Sequence, residues 1–560
     1  MSRTARLARN VFPILLLTAC LVPFAAASGP YKIGSANTVT ADPLVPRPST
    51  TPCVVELFSG AQFFDFNVEN FTFTPPSDCP GPWAKVVLES DIHLNAGIQY
   101  DRTANYWLGP VNIYYGSTAE PSPNLGPSWH IESDLTDYSS IFSAAQTGQA
   151  VIGNTLCCGL TSTIFASAEL EFYPLEKGQQ APVSANVVLP LSAGPSGGTV
   201  ALGSTSSTLS GTFTLPTNIE TAYLDVYAQS QSSDEFWYTC VPNNVASELE
   251  SCTNTGFRET EITIDGQPAG VAPVFPWIFT GGIDTYLWFP IPGVQTLNFT
   301  PYRVNLSPFA GVLSNGQPHT VSLSVFNADN YFSATASLLL YTDPDSAQTT
   351  GEVTQNTLTG PSPVVTENLK VNSSVIDGTV DVGSKRSFVI AGYVDTSHGT
   401  VTTKVSQNVS FSNNQYFDIN STKYVQNINL ASTLNSNVTV SQKGAPSLVY
   451  NQNYNFPLTV DITEITLSNG DINQTTTADQ TYQLTTATGQ AGGFLSYGSV
   501  LNTGRHVDTL EFDSSFNLLG NTGQSSEQQY NLVDSTGAAY LCRITAAANV
   551  LTSFSPSCAK

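Results

Sequence analysis

The chain has 560 residues, a net charge of −24 and only 11% charged residues. This length gives room for about three or four domains and for large buried cores. So acidic a protein should repel nucleic acid and anionic lipid, and we therefore expect neither as a partner.

The first 27 residues have the features of a secretory signal peptide. Three arginines precede an apolar run from Val11 to Phe24, and three alanines follow it. The pattern predicts cleavage after Ala27 and a secreted, extracellular protein. No later stretch reaches the roughly 18 uninterrupted apolar residues that a membrane span requires.

The cysteines and the glycosylation sequons also favour an extracellular location. Of nine cysteines, eight remain after Cys20 leaves with the signal, and an even number favours disulfides. We expect the pairs Cys53–Cys79, Cys240–Cys252 and Cys542–Cys558, while Cys157 and Cys158 form either a vicinal bridge or two separate half-bridges. Eight Asn-x-Ser/Thr sequons predict a glycoprotein, at Asn70, Asn298, Asn305, Asn372, Asn408, Asn420, Asn437 and Asn473.

Short strands with turn residues between them begin after an irregular, loosely packed lead-in over residues 28–52. Their alternating pattern predicts a first β-sandwich or jelly roll over residues 53–187. One stretch, 136–146, is predicted to be briefly helical. The predicted strands are 61–66, 70–74, 83–88, 109–115, 129–132, 150–152 and 164–172.

A second sandwich is predicted over residues 211–343, connected to the first by a Ser- and Gly-rich passage. Residues 344–364 have the composition of a linker, and 365–560 form a third, glycosylated β-rich region without a clear catalytic constellation. The predicted fold is therefore all-β, with two adjacent jelly-roll β-sandwiches followed by a β-rich C-terminal region. Predicted strands are 211–215, 222–229, 259–264, 277–280, 286–289, 320–326, 334–341, 400–405, 458–465 and 540–545.

The first candidate for chemistry is the stretch 99–121, which places Asp101, Arg102, Trp107 and Glu120 in one strand-turn-strand unit. A carboxylate can orient or deprotonate water, and a neighbouring guanidinium can hold it or bind a sugar hydroxyl. Trp107 could supply a flat face for a pyranose ring. The alternative is an ordinary exposed ion pair on a hairpin, which contributes little to stability.

The second candidate is the pair Asp234 and Glu235, followed by three aromatic residues. Neighbouring side chains of a strand face opposite ways, so one acid should work while the other supports the loop. A glutamic acid held against Phe236 and Trp237 would be partly desolvated, which raises its pKa and suits a proton donor. The alternative is a solvated acid pair at the end of a hydrophobic strand.

Two further segments contain Arg258 and the glycines at 281 and 282, which suit a tight turn or a close backbone approach. Taken together, the segments resemble the peptide N-glycosidase A family, amidases that cut an N-glycan from its asparagine. The resemblance is strong over about residues 50–345 and weak beyond. The matching passages are 73–80, 100–102, 107–109, 118–121, 134–139, 234–238 and 279–283.

This resemblance implies two side-by-side jelly rolls with the active site in the cleft between them. It assigns Asp101 and Glu235 as the catalytic residues. The residues expected to bind substrate are Arg102, Trp107, Glu120, Asp234, Trp237 and Arg258.

The family resembles a bacterial peptide N-glycosidase built of two side-by-side jelly rolls, and the chain departs from that enzyme in two places. Asn154 falls near the position of a secondary acidic residue of that enzyme, so the resemblance does not provide a third carboxylate for the active site at this position. Glu250, two residues before Cys252, competes with Glu235 for the second catalytic role. We favour Glu235, because its motif is the one that the A-type family has.

The function implied by the resemblance is a secreted, monomeric peptide N-glycosidase that hydrolyses the amide bond of N-glycosylated asparagine and leaves aspartate. Scattered histidines and the lack of a Cys-x-x-Cys pair predict no metal, and no cofactor is expected. One alternative is an endoglycosidase-type glycoside hydrolase that uses the same two acids. The other is a non-catalytic glycan-binding extracellular β-protein.

Overall fold

A computed structural model describes residues 31–372, 375–490 and 493–559, and its strands confirm the all-β prediction. The α-helix α1, Ala310–Leu313, has four residues. No helix within the described residues is long and apolar enough to cross a membrane. The predicted signal peptide lies outside the described residues.

The first unit consists of two packed four-stranded antiparallel sheets, with strand orders β1-β8-β3-β6 and β2-β7-β4-β5. Alternate side chains along β8 point into the core, as expected for a strand with one face covered. The predicted helical stretch is a 3-10 helix, Thr136–Ser143. The strands are β1 Cys53–Phe63, β2 Val68–Phe73, β3 Trp83–Leu94, β4 Thr103–Leu108, β5 Val111–Ser117, β6 Ser128–Asp134, β7 Gln146–Ile152 and β8 Ile164–Pro174.

The second unit repeats this arrangement. Its sheets have the orders β10-β17-β12-β15 and β11-β16-β13-β14, with β9 added beside β17. Without β9, the two units share one strand order, since each pairs its first strand with its eighth and its second with its seventh. Each unit is therefore a pair of packed sheets with eight strands in total, apart from β9. The strands are β9 Val187–Leu191, β10 Val200–Leu202, β11 Leu209–Thr214, β12 Ile219–Gln231, β13 Glu259–Ile264, β14 Gln267–Pro273, β15 Tyr302–Asn305, β16 Pro318–Phe326 and β17 Tyr331–Thr342.

Two predicted strands of the second unit are wrong. Residues 277–280 form a loop, and Thr285–Trp288 is a 3-10 helix. Both stretches contain a tryptophan, Trp277 or Trp288, that packs into the core. Their apolar character therefore reflects burial and not membership of a sheet. A short apolar run does not by itself distinguish a buried strand from a buried loop.

The C-terminal region is a single sheet of eleven strands. Part of the predicted linker belongs to it, because β18 pairs with β20. Several strands are about twenty residues long, and alternate side chains of β21 are buried over most of its length. The strands are β18 Thr350–Asn356, β19 Val364–Asn372, β20 Val375–Thr396, β21 Gly399–Asn420, β22 Lys423–Gln442, β23 Leu448–Thr466, β24 Ile472–Gln490, β25 Gly493–Phe512, β26 Leu518–Asp534, β27 Ala539–Ala547 and β28 Val550–Phe554.

The inner face of this sheet packs on the second unit and forms one hydrophobic core with it. Buried amides on that face also bind carbonyl groups of the second unit. Asn413 Nδ2 donates to the carbonyl of Tyr238 at 2.8 Å, and Gln415 Nε2 donates to that of Cys240 at 2.9 Å. Gln480 Nε2 donates to the carbonyl of Pro276 at 2.7 Å. The C-terminal sheet therefore supports the loops that follow β12 and β14.

The lead-in is irregular, as predicted, but it is not loosely packed. Its backbone at Ala41 donates to Gln528 of the C-terminal sheet at 2.6 Å. Further along, Arg47 lies on the outer face of the first unit and forms ion pairs with Glu89, Glu132 and Glu171. The lead-in is therefore a strap that connects the first unit with the C-terminal sheet.

Replacing Arg47 by glutamine should leave those three carboxylates without the guanidinium that pairs with all of them, and with only His130, which pairs with Glu132, as a nearby cation. Burial, followed by the charge of Glu171, already raises the pKa of Glu89 to about 7. We expect a loss of about 2 kcal/mol in the free energy of unfolding at about pH 8. The loss should shrink as the pH falls through 7, because protonation removes the repulsion.

Urea unfolding of the two proteins at several pH values measures this difference. Lys85→Gln is the matched control, since Lys85 pairs with the half-exposed Asp134. Such a surface pair contributes under about 1 kcal/mol. An Arg47→Gln loss that is independent of pH would contradict the electrostatic explanation.

Candidate active site

The predicted strand-turn-strand unit is the hairpin of β4 and β5. Asp101 and Arg102 immediately precede β4, and Glu120 follows β5. The ends are held together because the Thr118 backbone donates to the Arg102 carbonyl at 2.9 Å, and the Arg102 backbone donates to Thr118 Oγ1 at 2.8 Å. The Asp101 backbone donates to Glu120 Oε1 at 3.1 Å, so the two acids are direct neighbours.

The second unit completes this cluster through the loop that follows β14. The Gly281 backbone N–H donates to Asp101 Oδ2 at 2.7 Å. Thr280 Oγ1 accepts from the Glu120 backbone at 3.0 Å and donates to the Thr118 carbonyl at 2.9 Å. Asp101 and Glu120 are therefore fixed by groups from both units, and the site lies where the units meet.

Glu235 reaches the same place from the end of β12, after the 3-10 turn Ser232–Asp234. Burial raises the pKa of Glu235 to about 8, and the negative charge of Asp101 contributes to the increase. Burial also raises the pKa of Glu120 to about 8, again with a contribution from the Asp101 charge. Three carboxyl groups thus share a partly desolvated region, in which protonated and ionised forms can coexist near neutral pH.

Asp101 differs from the other two acids in its partners. Burial raises its pKa above the ordinary value, against the opposing effects of the Gly281 hydrogen bond and the Arg102 charge. Those two groups stabilise the ionised form, so Asp101 is the member of the cluster best suited to act as a base.

Arg102 is held beside the cluster by neighbours from its own loop. Its Nη2 donates to Gln99 Oε1 at 2.6 Å, and its guanidinium carbon lies 5.8 Å from the centre of the Tyr100 ring. Burial lowers the pKa of Arg102, while the charges of Asp101 and Glu120 oppose that effect. The cation is therefore positioned at the edge of the acidic cluster.

The two predicted aromatic contacts, Trp107 and Trp237, are both buried, with exposures of 1% and 0%. A Cβ atom added at Gly197 would lie 2.4 Å from the Trp107 ring, which shows how closely the second unit packs there. Trp237 lies 6.1 Å from the ring of Phe411 in the C-terminal sheet. Packing between units accounts for both rings, and neither has an open face for a sugar.

Asp234 and Arg258 form a fully buried ion pair instead of facing the cluster. Asp234 Oδ1 accepts from Arg258 Nε and Nη2 at 3.0 and 2.9 Å. Its Oδ2 accepts three backbone N–H groups of residues 329–331. The pair fixes the turn that presents Glu235. Both side chains were predicted to bind substrate, but they are fully buried and bind each other.

The two departures from the bacterial pattern have distinct locations. Glu250 is exposed in the Cys240–Cys252 loop, where its charge acts on Tyr424 and Glu464 of the C-terminal sheet. Asn154 is buried and donates to the carbonyls of Phe63 and Ser162 at 2.8 and 3.1 Å. The third acid beside Asp101 is Glu120, which lies close to it in sequence.

Two predicted disulfides are confirmed, Cys240–Cys252 and Cys542–Cys558. The third predicted pair is not closed: Cys53 and Cys79 are free but close enough for one thiol to affect the pKa of the other. Cys157 and Cys158 are free and exposed, so neither the vicinal bridge nor the two half-bridges predicted for them is formed. The Cys240–Cys252 bridge closes the segment directly after Glu235.

Neither Thr280 nor a contact between Gly281 and the acids was predicted from the sequence. The Gly-Gly pair was the available signal, because it predicts a close backbone approach. A Cβ atom at position 281 would lie 2.2 Å from Glu120 Oε1 and 3.0 Å from Asp101 Oδ2. Only the absence of a side chain lets this backbone reach both carboxyl groups.

Gly281→Ala should therefore displace Asp101 and Glu120 while leaving the core of each unit intact. Misplacement of a reacting group by about 1 Å costs about 100-fold in rate, and we expect a fall of that size in kcat for the reaction proposed below. Gly194→Ala is the matched control, because a Cβ atom there would meet nothing within 4 Å. Equal activity of the two variants would contradict the close approach.

The fold and the site thus define an all-β protein with three carboxyl groups gathered where two β-sandwiches meet. A sequence model of the family described as peptide N-acetyl-beta-D-glucosaminyl asparaginase amidase A matches residues 47–359, and its C-terminal domain model matches residues 379–458. The chain belongs to this family.

A similar protein is the peptide-N4-(N-acetyl-beta-glucosaminyl)asparagine amidase A of Prunus dulcis, 32% identical over 360 residues. That match includes 61% of this chain and spans 62% of the length of the almond protein.

Two solved structures are similar at much lower identity. The glycosylasparaginase PNGase F of Flavobacterium meningosepticum is 14% identical, with a TM-score of 0.35 over 52% of this chain and 96% of that one. The structure of PNGF-II is 13% identical, with a TM-score of 0.36 over 52% of this chain and 66% of that one. Similarity at this level says nothing about the roles of individual residues.

Proposed function

We propose that this protein is a peptide N-glycosidase, which hydrolyses the amide bond between an N-glycan and its asparagine and leaves aspartate in the peptide. The observation that carries the proposal is the carboxyl cluster of Asp101, Glu120 and Glu235, built from both sandwiches of a chain in this amidase family. A cluster assembled from two units suits a substrate with two chemically different parts.

Asp101 acts as the base. Its Oδ2 is occupied by the Gly281 N–H, so Oδ1 is the atom that takes a proton from water. The water oxygen forms a bond to the side-chain amide carbon of the glycosylated asparagine, and the bond from that carbon to nitrogen then breaks. The products are aspartate and a glycan with a free amine at its first sugar.

Glu235 supplies the proton that the leaving nitrogen requires. A pKa of about 8 keeps this carboxyl protonated at neutral pH, where an ordinary glutamate has lost its proton. Glu120 and Arg102 lie beside Asp101 and contact the substrate, whereas Asp234 and Arg258 position the Glu235 turn. Trp107 and Trp237 contribute through packing.

We further propose that the protein works outside the cell as a monomer on N-glycosylated peptides or glycoproteins. The signal-like N-terminal sequence, the sequons and the two disulfides support this location. Disulfides persist in oxidising compartments and are rare in the cytosol.

Digestion of a glycopeptide in water enriched in heavy oxygen, followed by mass spectrometry, tests the reaction. The proposal expects asparagine to become aspartate, with the heavy oxygen in the new carboxyl group. A glycoside hydrolase would instead leave a sugar on an intact asparagine and place the label in the released glycan. Tight binding without any product would favour the glycan-binding alternative.

A further inference from the structure

An exposed apolar surface lies next to Arg102, on the loops at one edge of the first unit. We name it the apolar rim, defined by Phe66, Ile98, Tyr100 and Leu156, whose exposures are 63%, 55%, 61% and 42%. Single exposed apolar side chains are common on proteins, but several on adjoining loops mark a binding surface.

Backbone and amide contacts hold these loops together. The Phe66 backbone donates to the Asn154 carbonyl at 2.7 Å, and the Thr161 backbone donates to the Ile98 carbonyl at 2.8 Å. The segments that carry Phe66, Ile98 and Leu156 are therefore adjacent in space.

The rim is also joined directly to the acidic site. Gln99 Nε2 donates to the Thr155 carbonyl at 2.9 Å, and Gln99 Oε1 accepts from Arg102 Nη2 at 2.6 Å. The Tyr100 ring lies beside the Arg102 guanidinium. The apolar rim therefore adjoins the place where a substrate amide would meet Asp101.

We propose that the apolar rim binds the peptide part of the substrate, through apolar side chains next to the glycosylated asparagine. A glycan is covered with hydroxyl groups that need polar partners, which Ile98 and Leu156 do not provide. Apolar peptide side chains gain free energy when they cover such surfaces. The acids at Glu120 and Glu235 provide the polar contacts that a sugar requires.

This inference rests on the proposed peptide N-glycosidase function and adds a preference within it. Among substrates with the same glycan, those with apolar residues beside the asparagine should be cleaved with higher kcat/KM than those with glycine there. The preference should come from KM, because the rim does not touch the reacting amide.

The test is the double variant Ile98→Ser, Leu156→Ser, assayed with two glycopeptides that carry one glycan but have leucine or glycine beside the asparagine. Tyr100 is left in place because its ring contacts Arg102. We expect the preference for the leucine substrate to fall about tenfold, which is about the contribution of one well-buried apolar side chain. The matched control, Ile465→Ser with Leu467→Ser, changes two side chains of the same types and similar exposure on the C-terminal region, and should keep the preference.

Calorimetric binding of both glycopeptides to Asp101→Asn, with and without the rim substitutions, separates the two proposals. If the wild-type protein cleaves neither substrate, the proposed function fails. The binding experiment still tests the apolar rim, because the rim substitutions should abolish the preference for binding the leucine glycopeptide. An equal loss of affinity for both substrates would mean that these residues contact the glycan and would overturn the inference. The inference would also be overturned if the double variant kept both the wild-type preference for the leucine substrate and the wild-type melting temperature.

Discussion

Asp101→Asn is expected to lower kcat for glycan release by about 1,000-fold, because asparagine cannot take a proton from the attacking water. Asparagine has nearly the same shape and can still accept the hydrogen bond from the Gly281 backbone. The site should therefore stay assembled, and KM should change much less than kcat. Release of a fluorescent glycopeptide's glycan, followed by chromatography, measures both constants.

Asp78→Asn is the matched control for this variant. Asp78 is an exposed residue of the first unit, and its carboxylate accepts a hydrogen bond from the hydroxyl of Ser77. The same change of charge there should leave kcat within about twofold of the wild type, as for most surface substitutions. Wild-type rates in Asp101→Asn would refute the assignment of the base.

Glu235→Gln is expected to lower kcat by about 100- to 10,000-fold, because the leaving nitrogen loses its proton donor. Glu250→Gln is the matched control and also decides between the two acids that the sequence left in competition. Glu250 is exposed and its charge acts on the C-terminal sheet, so its replacement should change kcat little. A large loss in Glu250→Gln with an active Glu235→Gln would reverse the assignment.

The dependence of kcat on pH provides a second readout for Glu235. A donor must be protonated, so the rate should fall as the pH rises through about 8, the pKa to which burial raises this carboxyl. A base must be ionised, so the rate should also fall when the pH drops through the pKa of Asp101. Burial raises this pKa, so the acidic fall should occur at a higher pH than for an ordinary aspartic acid. The alkaline fall should be weaker in the residual activity of Glu235→Gln, in which Glu120 is the remaining acid of the cluster with a pKa of about 8.

Local sequence patterns predicted the Asp101 hairpin well. The turn at Gly109 is a local property, and so is the closeness of Asp101 and Glu120 at the two ends of the hairpin, although β4 was not among the individually predicted strands. The different directions of Asp234 and Glu235 were predicted for a strand, whereas these residues lie on a 3-10 turn, and the Arg258 partner of Asp234 was not predicted. The C-terminal strands could also be predicted locally, because alternate polar and apolar residues are typical of strands. The pattern does not predict that these strands join into one sheet.

Contacts between distant parts of the chain were beyond such patterns. Trp107 and Trp237 were expected to face a sugar, yet the neighbouring units cover their rings. The lead-in has no periodicity, and its order comes from Arg47 and the carboxylates that surround it. Tertiary partners decide these cases, because a side chain's exposure depends on what the fold brings against it.

By itself, the sequence determined the all-β class, the two local disulfides that the structure confirms and the two acid motifs with their chemical types. These depend on residue type and on spacing along the chain. Only the tertiary structure decided that the Gly281 backbone binds Asp101 and that Glu250 faces the C-terminal sheet. The physical reason is that pKa values and hydrogen bonds depend on distances in space, which residues about 180 apart in sequence acquire only on folding.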